Sequence, residues 1–448
     1  MNFVPNTRQE KEQMMGFLGI SSVSELFEDI DEDMRLKDLL KLPKSMSEME
    51  IVAHMREMSN ANAHMHNHAC FIGGGTYNHF IPSVVDHLIS RGEFTSCYTP
   101  YQAEMSQGML QSIFEFQSMI CELTGMDVSN ASMYDGAIAM AEAAIMAAKY
   151  TEDKGITISK AVHPEYRQVL KTYANAFGLK VYEVKTHHGL TDLEDMEYNV
   201  NGSTACVIVQ SPNFFGSIEN LAEISEITHK NDCLFVTNVI EPISLGILKP
   251  PGDYGADIVV GEGQSYGNSL NFGGPHIGFI ATKAELLKKI PGRISGLTVD
   301  TNGERGFILT LQTREQHVRR ERATSNICTN QALNALAATI YLALMGKNGL
   351  KNIAEICVQR AHYACSRIAE IEGFELAFNT PFFNEFVVRC GTSPENINKA
   401  LLKKEILGGL DLGIYYDNLK NCMLFCVTEM NSKEEIDKLV KTLGEVIS

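Results

Sequence analysis

The apolar positions near the N-terminus predict short helices rather than strands. Thr7 is followed three positions later by Glu10, the pattern of a capping box at the start of a helix. Ser45 to Met58 has apolar residues at helical spacing among acidic ones, which predicts a second, amphipathic helix. Residues 1–65 are therefore predicted to form an N-terminal helical segment.

Alternating strands and helices dominate the middle of the chain. Helices are predicted at 106–124, 137–148, 164–177 and 219–230. Between and after them stand short β-branched runs, which predict strands: Ile156 to Ile158, Leu179 to Val184, Ala205 to Val209, Cys233 to Thr237, Ile258 to Val260 and Ile277 to Ala281. Strand and helix in alternation predict a mostly parallel sheet, which binds ligands at the carboxyl ends of its strands.

The last third of the chain predicts a second, smaller α/β domain. Two long helices are expected at about 330–345 and 349–371. Strands and helices then alternate again, at Phe386 to Arg389, Pro394 to Lys404, Met423 to Val427 and Lys433 to Ile447. We therefore predict a large α/β domain over residues 66–330, and linking helices with the small domain over residues 331–448.

Composition narrows the classes of partner. The chain has 448 residues with 38 basic and 55 acidic side chains, a net charge of −17, which argues against nucleic acid or an anionic membrane as the main partner. No run of 18 apolar residues and no signal peptide are visible. The 11 cysteines are scattered and form no CxxC pair. They predict reduced thiols in a cytoplasmic protein.

Two patterns suggest ligands at first sight but predict none. His64, His66 and His68 alternate, yet the polar segment before them is not strand-like, so we expect no metal there. Gly261 and Gly263 follow a predicted strand, but Tyr266 stands where a dinucleotide motif needs its third glycine.

Two other segments suit an anion. A basic cluster lies at Arg314, Arg319, Arg320 and Arg322, and the acidic residues among these arginines make internal salt bridges the alternative to a phosphate or an acidic partner. Residues 130–137 form a polar turn before a predicted helix, where either an anion or an N-cap could satisfy the first amides.

Several longer segments together resemble one family, the glycine cleavage system P-protein, and within it the first subunit of the two-subunit bacterial form. The resemblance extends nearly from end to end and includes the opening residues Pro5-Asn6-Thr7. The other segments are Tyr98-Thr99-Pro100-Tyr101-Gln102, Phe114 to Gln117, Cys121 to Asp127, Asn130 to Gly136, Gln210 to Gly216, Gly274-Pro275 and Thr313 to Gln331.

This resemblance implies a fold and a reaction. The fold is that of fold-type-I, aminotransferase-like enzymes that use pyridoxal phosphate, with a large seven-stranded domain and a small C-terminal α/β domain. The reaction is the decarboxylation of glycine on pyridoxal phosphate, followed by transfer of the aminomethyl group to the lipoyl arm of H-protein. The cofactor serves as the electron sink.

The chemistry requires a lysine that holds the cofactor and an aspartate beside its pyridine nitrogen. The resemblance places Asn238 at the aspartate position and Ser265 at the lysine position. Between Asn231 and Ile280 the only lysine is Lys249, in a predicted loop. We therefore expect no covalent cofactor, and no catalytic residue of its own, on this chain alone.

The resemblance implies partners that complete the enzyme. A second subunit of the same fold would carry the lysine and pyridoxal phosphate in an α2β2 heterotetramer, which acts on glycine and H-protein. This chain is expected to contribute pocket-wall residues, or alternatively only interface contacts, from two segments: Tyr98, Thr99, Tyr101 and Gln102, and Thr324, Ser325, Asn326, Thr329 and Asn330.

Three hypotheses remain open on these residues. The first is an obligate subunit without the lysine, in which the basic cluster at 314–322 docks the H-protein. The second is a scaffolding or regulatory pseudoenzyme. The third is an autonomous aminotransferase-like enzyme, which the missing lysine disfavours.

Overall fold

The computed structural model describes residues 6–38, 40–327 and 329–447. The chain divides into two compact units, Met1–Asn62 and Ala63–Ser448. Pro5 of the N-terminal motif and Cys328 of the segment before the long C-terminal helix lie outside the described residues. In the described part of the chain, no helix has the length and apolar character needed to cross a membrane. The domain boundaries at 65 and 330 stay predictions.

The first unit contains the helices α1 (Arg8–Leu18) and α2 (Glu48–Asn60). The predicted capping box is confirmed: Thr7 Oγ1 accepts the Glu10 amide at 3.2 Å, and the Glu10 carboxylate accepts the Thr7 amide at 2.6 Å. Neither helix contains a buried residue, and the Phe17 side chain is 91% exposed. Because helices gain most of their stability from packing an apolar face, these apolar side chains suit another protein surface.

Strands and helices of the second unit follow in chain order. The strands are β1 (Ala69–Cys70), β2 (Val128–Ser129), β3 (Gly155–Ser159), β4 (Lys180–Val184), β5 (Thr186–His187), β6 (Leu190–Thr191), β7 (Thr204–Gln210), β8 (Leu234–Val239), β9 (Ile258–Glu262), β10 (Gly278–Thr282), β11 (Ile294–Val299), β12 (Arg305–Thr310), β13 (Phe374–Leu376), β14 (Glu385–Cys390), β15 (Ile406–Leu407), β16 (Leu410–Asp411) and β17 (Cys422–Cys426). The helices are α3 (Ser83–Ile89), α4 (Gly92–Thr95), α5 (Gln107–Thr124), α6 (Gly136–Thr151), α7 (Pro164–Phe177), α8 (Leu193–Asn199), α9 (Leu221–His229), α10 (Gln316–Arg319), α11 (Ala332–Ala369), α12 (Pro394–Leu402) and α13 (Lys433–Ile447).

A seven-stranded sheet in the order β2-β10-β9-β8-β7-β3-β4 forms the centre of this unit. All six predicted strands are present in it. The pairs from β4 through β9 are parallel, and β10 runs antiparallel to both of its neighbours. Every residue of β7, β8 and β9 is buried. In β7, Val207 and Val209 pack into one apolar core and Cys206 and Ile208 into another, so helices cover both faces.

The predicted helices are confirmed, and the two long ones are joined directly across a kink. They form α11, in which Gly346 alone has a non-helical backbone, with φ of 56° and ψ of −178°. A positive φ is accessible to glycine without steric cost, which explains why the chain changes direction there.

The C-terminal residues form a four-stranded antiparallel sheet in the order β13-β14-β17-β16. Phe386 and Phe425 of this sheet pack with Ile436 and Leu439 of α13 in a separate apolar core. One prediction is incomplete here: residues 305–322, expected only as a charged segment, begin with β12, which pairs with β11. Exposed and buried residues alternate along β12, so one face of the ribbon packs against the protein and the other faces solvent.

Candidate functional site

Two positions singled out from the sequence lie at the carboxyl edge of the large sheet. Asn238 is the penultimate residue of β8, and Ser265 follows the end of β9 by three residues. Both are buried, with 0% and 2% exposure. Neighbouring parallel strands end at the same edge, where open α/β sheets bind their ligands.

The surroundings of Asn238 do not fit a pyridinium ring. Its Nδ2 lies 3.9 Å from Met140 Sδ, and its Oδ1 is buried without a hydrogen-bond partner among the described residues. An amide supplies no charge opposite a protonated ring nitrogen. This position therefore lacks the group that pyridoxal phosphate chemistry requires.

Ser265 belongs to a buried polar cluster. Its Oγ donates to Glu241 Oε2 at 3.4 Å, and the same oxygen lies 2.9 Å from His79 Nε2. The other ring nitrogen of His79 lies 2.7 Å from Glu429 Oε2. Burial opposes a charge on His79, but Glu241, Cys357 and Glu429 together raise its pKa well above the ordinary value.

The same cluster contains donors that a soft divalent metal prefers. The ligand atoms of His79, Cys357 and Glu429 all lie within 4.8 Å of one another. However, both ring nitrogens of His79 are already paired with carboxylates, and the Cys357 thiol donates to Glu429 at 3.4 Å. These hydrogen bonds satisfy the cluster without an ion, so we interpret it as a structural network.

A cleft of about 430 Å³ opens beside the start of α6. Its described lining residues include three carboxylates and two histidines but neither lysine nor arginine. The polar side chains that line it include Tyr134, Asp135, His163, Glu165, Glu262 and His276. A phosphate group binds to cations and free amides, which makes this lining unsuited to a phosphate-bearing cofactor.

Carboxylates occupy two amides at the start of α6. Asp135 Oδ1 accepts the Ile138 amide at 2.7 Å, so the N-cap alternative for residues 130–137 is the one that the structure shows. Glu262 Oε2 accepts the Gly136 amide at 3.0 Å. Burial raises the pKa of Glu262 to about 8, although hydrogen bonds from Gly136 and Ile277 oppose that shift.

The first predicted wall segment forms an exposed loop. Tyr98 is 83% exposed and Tyr101 is 53% exposed, while Thr99 is half-buried and Gln102 exposed. Arg293 Nη2 donates to Tyr101 Oη at 2.7 Å. Arg293 is itself buried, so the position of the Tyr101 ring is fixed although much of the ring remains accessible.

The second predicted wall segment lies near the turn before α6. Asn330 Nδ2 donates to Ser132 Oγ at 2.7 Å, and Thr324 Oγ1 donates to the Arg314 carbonyl at 3.4 Å. Ser325 and Thr329 are half-buried, and Asn326 is exposed. The structure therefore brings one end of this segment to the α6 turn. A contribution to a shared pocket stays a prediction.

The four arginines of the basic cluster differ in accessibility. Arg314 is buried, with 8% exposure, and it donates to the carbonyls of Ile290 and Gly292. Arg319, Arg320 and Arg322 are exposed, and Arg322 Nε lies 3.8 Å from Glu321 Oε1. Because Arg314 is a structural link between two segments, docking can involve only the other three.

Two acidic residues at the carboxyl edge were not predicted from the sequence. Glu262 stands between the two glycines that were considered for a nucleotide motif, and Glu241 follows β8 by two residues. A signal was available for Glu262: a carboxylate at the end of an otherwise apolar strand is costly to bury and therefore indicates a specific role.

The sheet order, the helices on both faces and the smaller antiparallel domain define the fold of fold-type-I enzymes that use pyridoxal phosphate. A structure of a sphingosine-1-phosphate lyase from Burkholderia pseudomallei shares this fold, with a TM-score of 0.67 at 13% identity and 92% of each chain covered. A family model described as "Glycine cleavage system P-protein" matches residues 1–443. The chain belongs to this family, as the resemblance predicted.

Closer relatives agree with that assignment. Proteins named "Probable glycine dehydrogenase (decarboxylating) subunit 1" are 52% identical, from Anoxybacillus flavithermus over 99% of this chain and 98% of the relative, and from Desulforamulus reducens over 100% of both. A crystal structure of a glycine decarboxylase (P-protein) in an inhibitor-bound form matches with a TM-score of 0.91, at 41% identity over 100% of both chains.

Proposed function

We propose that this chain is the subunit without the cofactor lysine in a two-subunit enzyme that decarboxylates glycine. Its partner would be a second subunit of the same fold that carries the lysine and pyridoxal phosphate. The complex would release carbon dioxide from glycine and transfer the aminomethyl group to the lipoyl arm of H-protein. The relatives named "subunit 1" support this role.

The observation that carries the proposal is the absence of a suitable lysine. The resemblance predicts the lysine at the position of Ser265, whose hydroxyl donates to Glu241. Lys249, the one alternative considered from the sequence, donates to the Asp253 carbonyl at 3.4 Å and lies 4.8 Å from the centre of the Tyr254 ring. It is therefore held in its own loop.

The first unit supports an obligate partner. Its helices α1 and α2 contain no buried residue, although they carry large apolar side chains such as Phe17, Met49 and Met55. Exposed apolar surface of this kind is typical of protein interfaces. We propose that the second subunit covers it in an α2β2 assembly.

Substitution of Tyr101 tests whether this chain contributes to a shared active site. In the complex with the second subunit, Tyr101→Ala and Gln102→Ala are expected to lower glycine decarboxylation by roughly 10- to 100-fold, since misplaced wall groups cost that much in other enzymes. The rate of carbon dioxide release measures this. Tyr198→Ala is the matched control, because Tyr198 is also exposed, at 87%.

Measuring the assembly of the complex distinguishes a shared active site from a scaffolding role. The sedimentation profile of the complex should not change in either variant, because both side chains lie in an exposed loop. Unchanged turnover in both variants with intact assembly would contradict the shared site and favour the scaffolding hypothesis.

Charge reversal tests the docking surface for H-protein. The double variant Arg319→Glu/Arg320→Glu is expected to raise the KM for H-protein several-fold, and more at low salt, because screening weakens charge steering as ionic strength rises. Lys403→Glu/Lys404→Glu is the control, with the same change in net charge on exposed residues. An equal KM in the two double variants at every salt concentration would refute this docking surface.

A further inference from the structure

At the start of α6, a carboxyl group of the chain itself accepts an amide that an external anion could otherwise use. Glu262 Oε2 accepts the Gly136 amide at 3.0 Å, and Oε1 accepts the Ile277 amide at 3.1 Å. The Glu262 residue is 2% exposed. Free amides and the helix dipole make a helix start favourable for an external phosphate, and here a side-chain carboxylate takes that position.

The close packing around Gly136 shows how little room is left. A Cβ atom at this position would lie 2.7 Å from Tyr166 Oη and 3.1 Å from the Glu262 amide nitrogen. The first turn of α6 therefore contacts the end of β9 directly. An external anion could reach these amides only after the Glu262 side chain moves away.

The charge of the adjoining cleft also opposes the binding of an external anion. Asp135, Glu165 and Glu262 all line it, with neither lysine nor arginine among its described lining residues. A phosphate ester entering the cleft would meet like charges and lose its hydration without gaining a cation. The acidic lining of the cleft therefore does not fit the phosphate group of the cofactor that the fold implies. This mismatch is separate from the predicted loss of the lysine.

We propose that the Glu262 carboxyl group, because it already accepts the Gly136 amide at the start of α6, takes the place that a phosphate group would need there and so excludes phosphate esters from this chain. Restoring a lysine at position 265 would then be insufficient for pyridoxal phosphate to bind. This exclusion of phosphate esters would be a property of the chain by itself, and it does not depend on a partner subunit. It can therefore fail while the proposed function stands, and the reverse also holds.

Binding of inorganic phosphate to the full chain tests this proposal. Isothermal titration with phosphate is expected to show no saturable binding to the wild type. The Glu262→Ser variant, which frees the Gly136 amide, is expected to bind phosphate saturably and at least about tenfold more tightly than the upper limit that the titration sets for the wild type, which corresponds to about 1.4 kcal/mol. Glu165→Gln is the matched control, because it removes a cleft carboxylate that lies outside the α6 amide contacts.

A second pair of variants uses pyridoxal phosphate itself. Ser265→Lys is expected to give little borohydride-trapped adduct, whereas Ser265→Lys/Glu262→Ser is expected to give substantially more at the same cofactor concentration. Equal trapping in these two variants would overturn the proposal. So would an equal gain in phosphate affinity for Glu165→Gln and Glu262→Ser, because that result would assign the exclusion to overall charge.

Glu262→Gln is the control that distinguishes a loss of the carboxyl group from a folding defect. The amide keeps the acceptor for Gly136 without the charge, and circular dichroism should show a native chain. Because the folded pKa of about 8 lies above the ordinary 4.5, the stability associated with Glu262 is complete below pH 4.5 and lost as pH rises through about 8. The glutamine variant should lack that decline, and retention of the full decline would contradict the assignment of the buried carboxylate.

Discussion

Purified alone with pyridoxal phosphate, this chain is expected to decarboxylate no glycine and to give no borohydride-stable adduct on a lysine. Addition of a lysine-bearing second subunit is expected to produce decarboxylation, an all-or-none difference. The physical reason is that Ser265 cannot form the covalent bond that a lysine amine forms, and Asn238 provides no charge beside the ring nitrogen. Both side chains are buried at the carboxyl edge of the sheet.

The measurement combines a spectrum with an activity assay. An absorbance spectrum from about 300 to 500 nm, before and after borohydride, reports a bound cofactor, and carbon dioxide release reports turnover. The second subunit alone is the control. A trapped adduct on a lysine of this chain would contradict the proposed role and would identify the chain as an enzyme in its own right.

Replacement of His79 by alanine is expected to lower the free energy of unfolding of this chain's own second unit, residues 63–448, by about 3–5 kcal/mol. His79 lies between Glu241 and Glu429, with both carboxylates within 2.9 Å of its ring nitrogens. Without the imidazolium, two buried carboxylates would face each other with no positive charge between them. Urea unfolding followed by circular dichroism measures the loss.

His229→Ala is the control for this prediction. His229 pairs with Asp257 at 2.9 Å, but its side chain is 40% exposed and Lys283 also pairs with Asp257. Its loss should therefore cost less than about 1 kcal/mol. Equal losses in the two variants would contradict the importance of the buried cluster.

The cluster also predicts a dependence of stability on pH. The pKa of His79 is raised, so its contribution is complete below the ordinary value of 6.5 and is lost as pH rises through the raised value. Burial opposes ionisation of Glu429, but His79 holds its pKa below 4.5. The contribution of Glu429 is present above pH 4.5 and is lost as pH falls through the lowered pKa. The cluster should therefore stabilise the protein most at mildly acidic to neutral pH, and His79→Ala should flatten that profile.

The order of secondary structure could be predicted from local pattern. The strands around Ile156, Val207, Val236 and Ile258 are short runs of β-branched and apolar residues, and such runs indicate buried strands whatever surrounds them. The ribbon of β11 and β12 was not predicted because apolar residues lie on both of its faces, with Leu297, Val299 and Ile308 exposed, so its sequence shows no clear alternation. Local pattern thus identifies an element most reliably when both of its faces are buried.

Site residues could be predicted from the sequence only where this chain differs from the pattern of the family that it resembles. Asn238 and Ser265 could be singled out because the resemblance predicts charged groups at these two positions. The pattern around Glu262 indicates a role but not its partners, and nothing local pairs His79 with Glu241, which are 162 residues apart in the chain. Their role depends on which strands end side by side.

The sequence by itself determined the alternation of strands and helices and the family, because each of these depends on neighbouring residues, and it also carries the prediction that Ser265 replaces the cofactor lysine. Only the tertiary structure decided which groups surround Glu262 and Ser265 at the carboxyl edge of the sheet. It set Glu262 against the first amides of α6 and Ser265 against Glu241. The reason is that the balance between burying a charge and pairing it is fixed by groups from distant segments, which meet only when the sheet has formed.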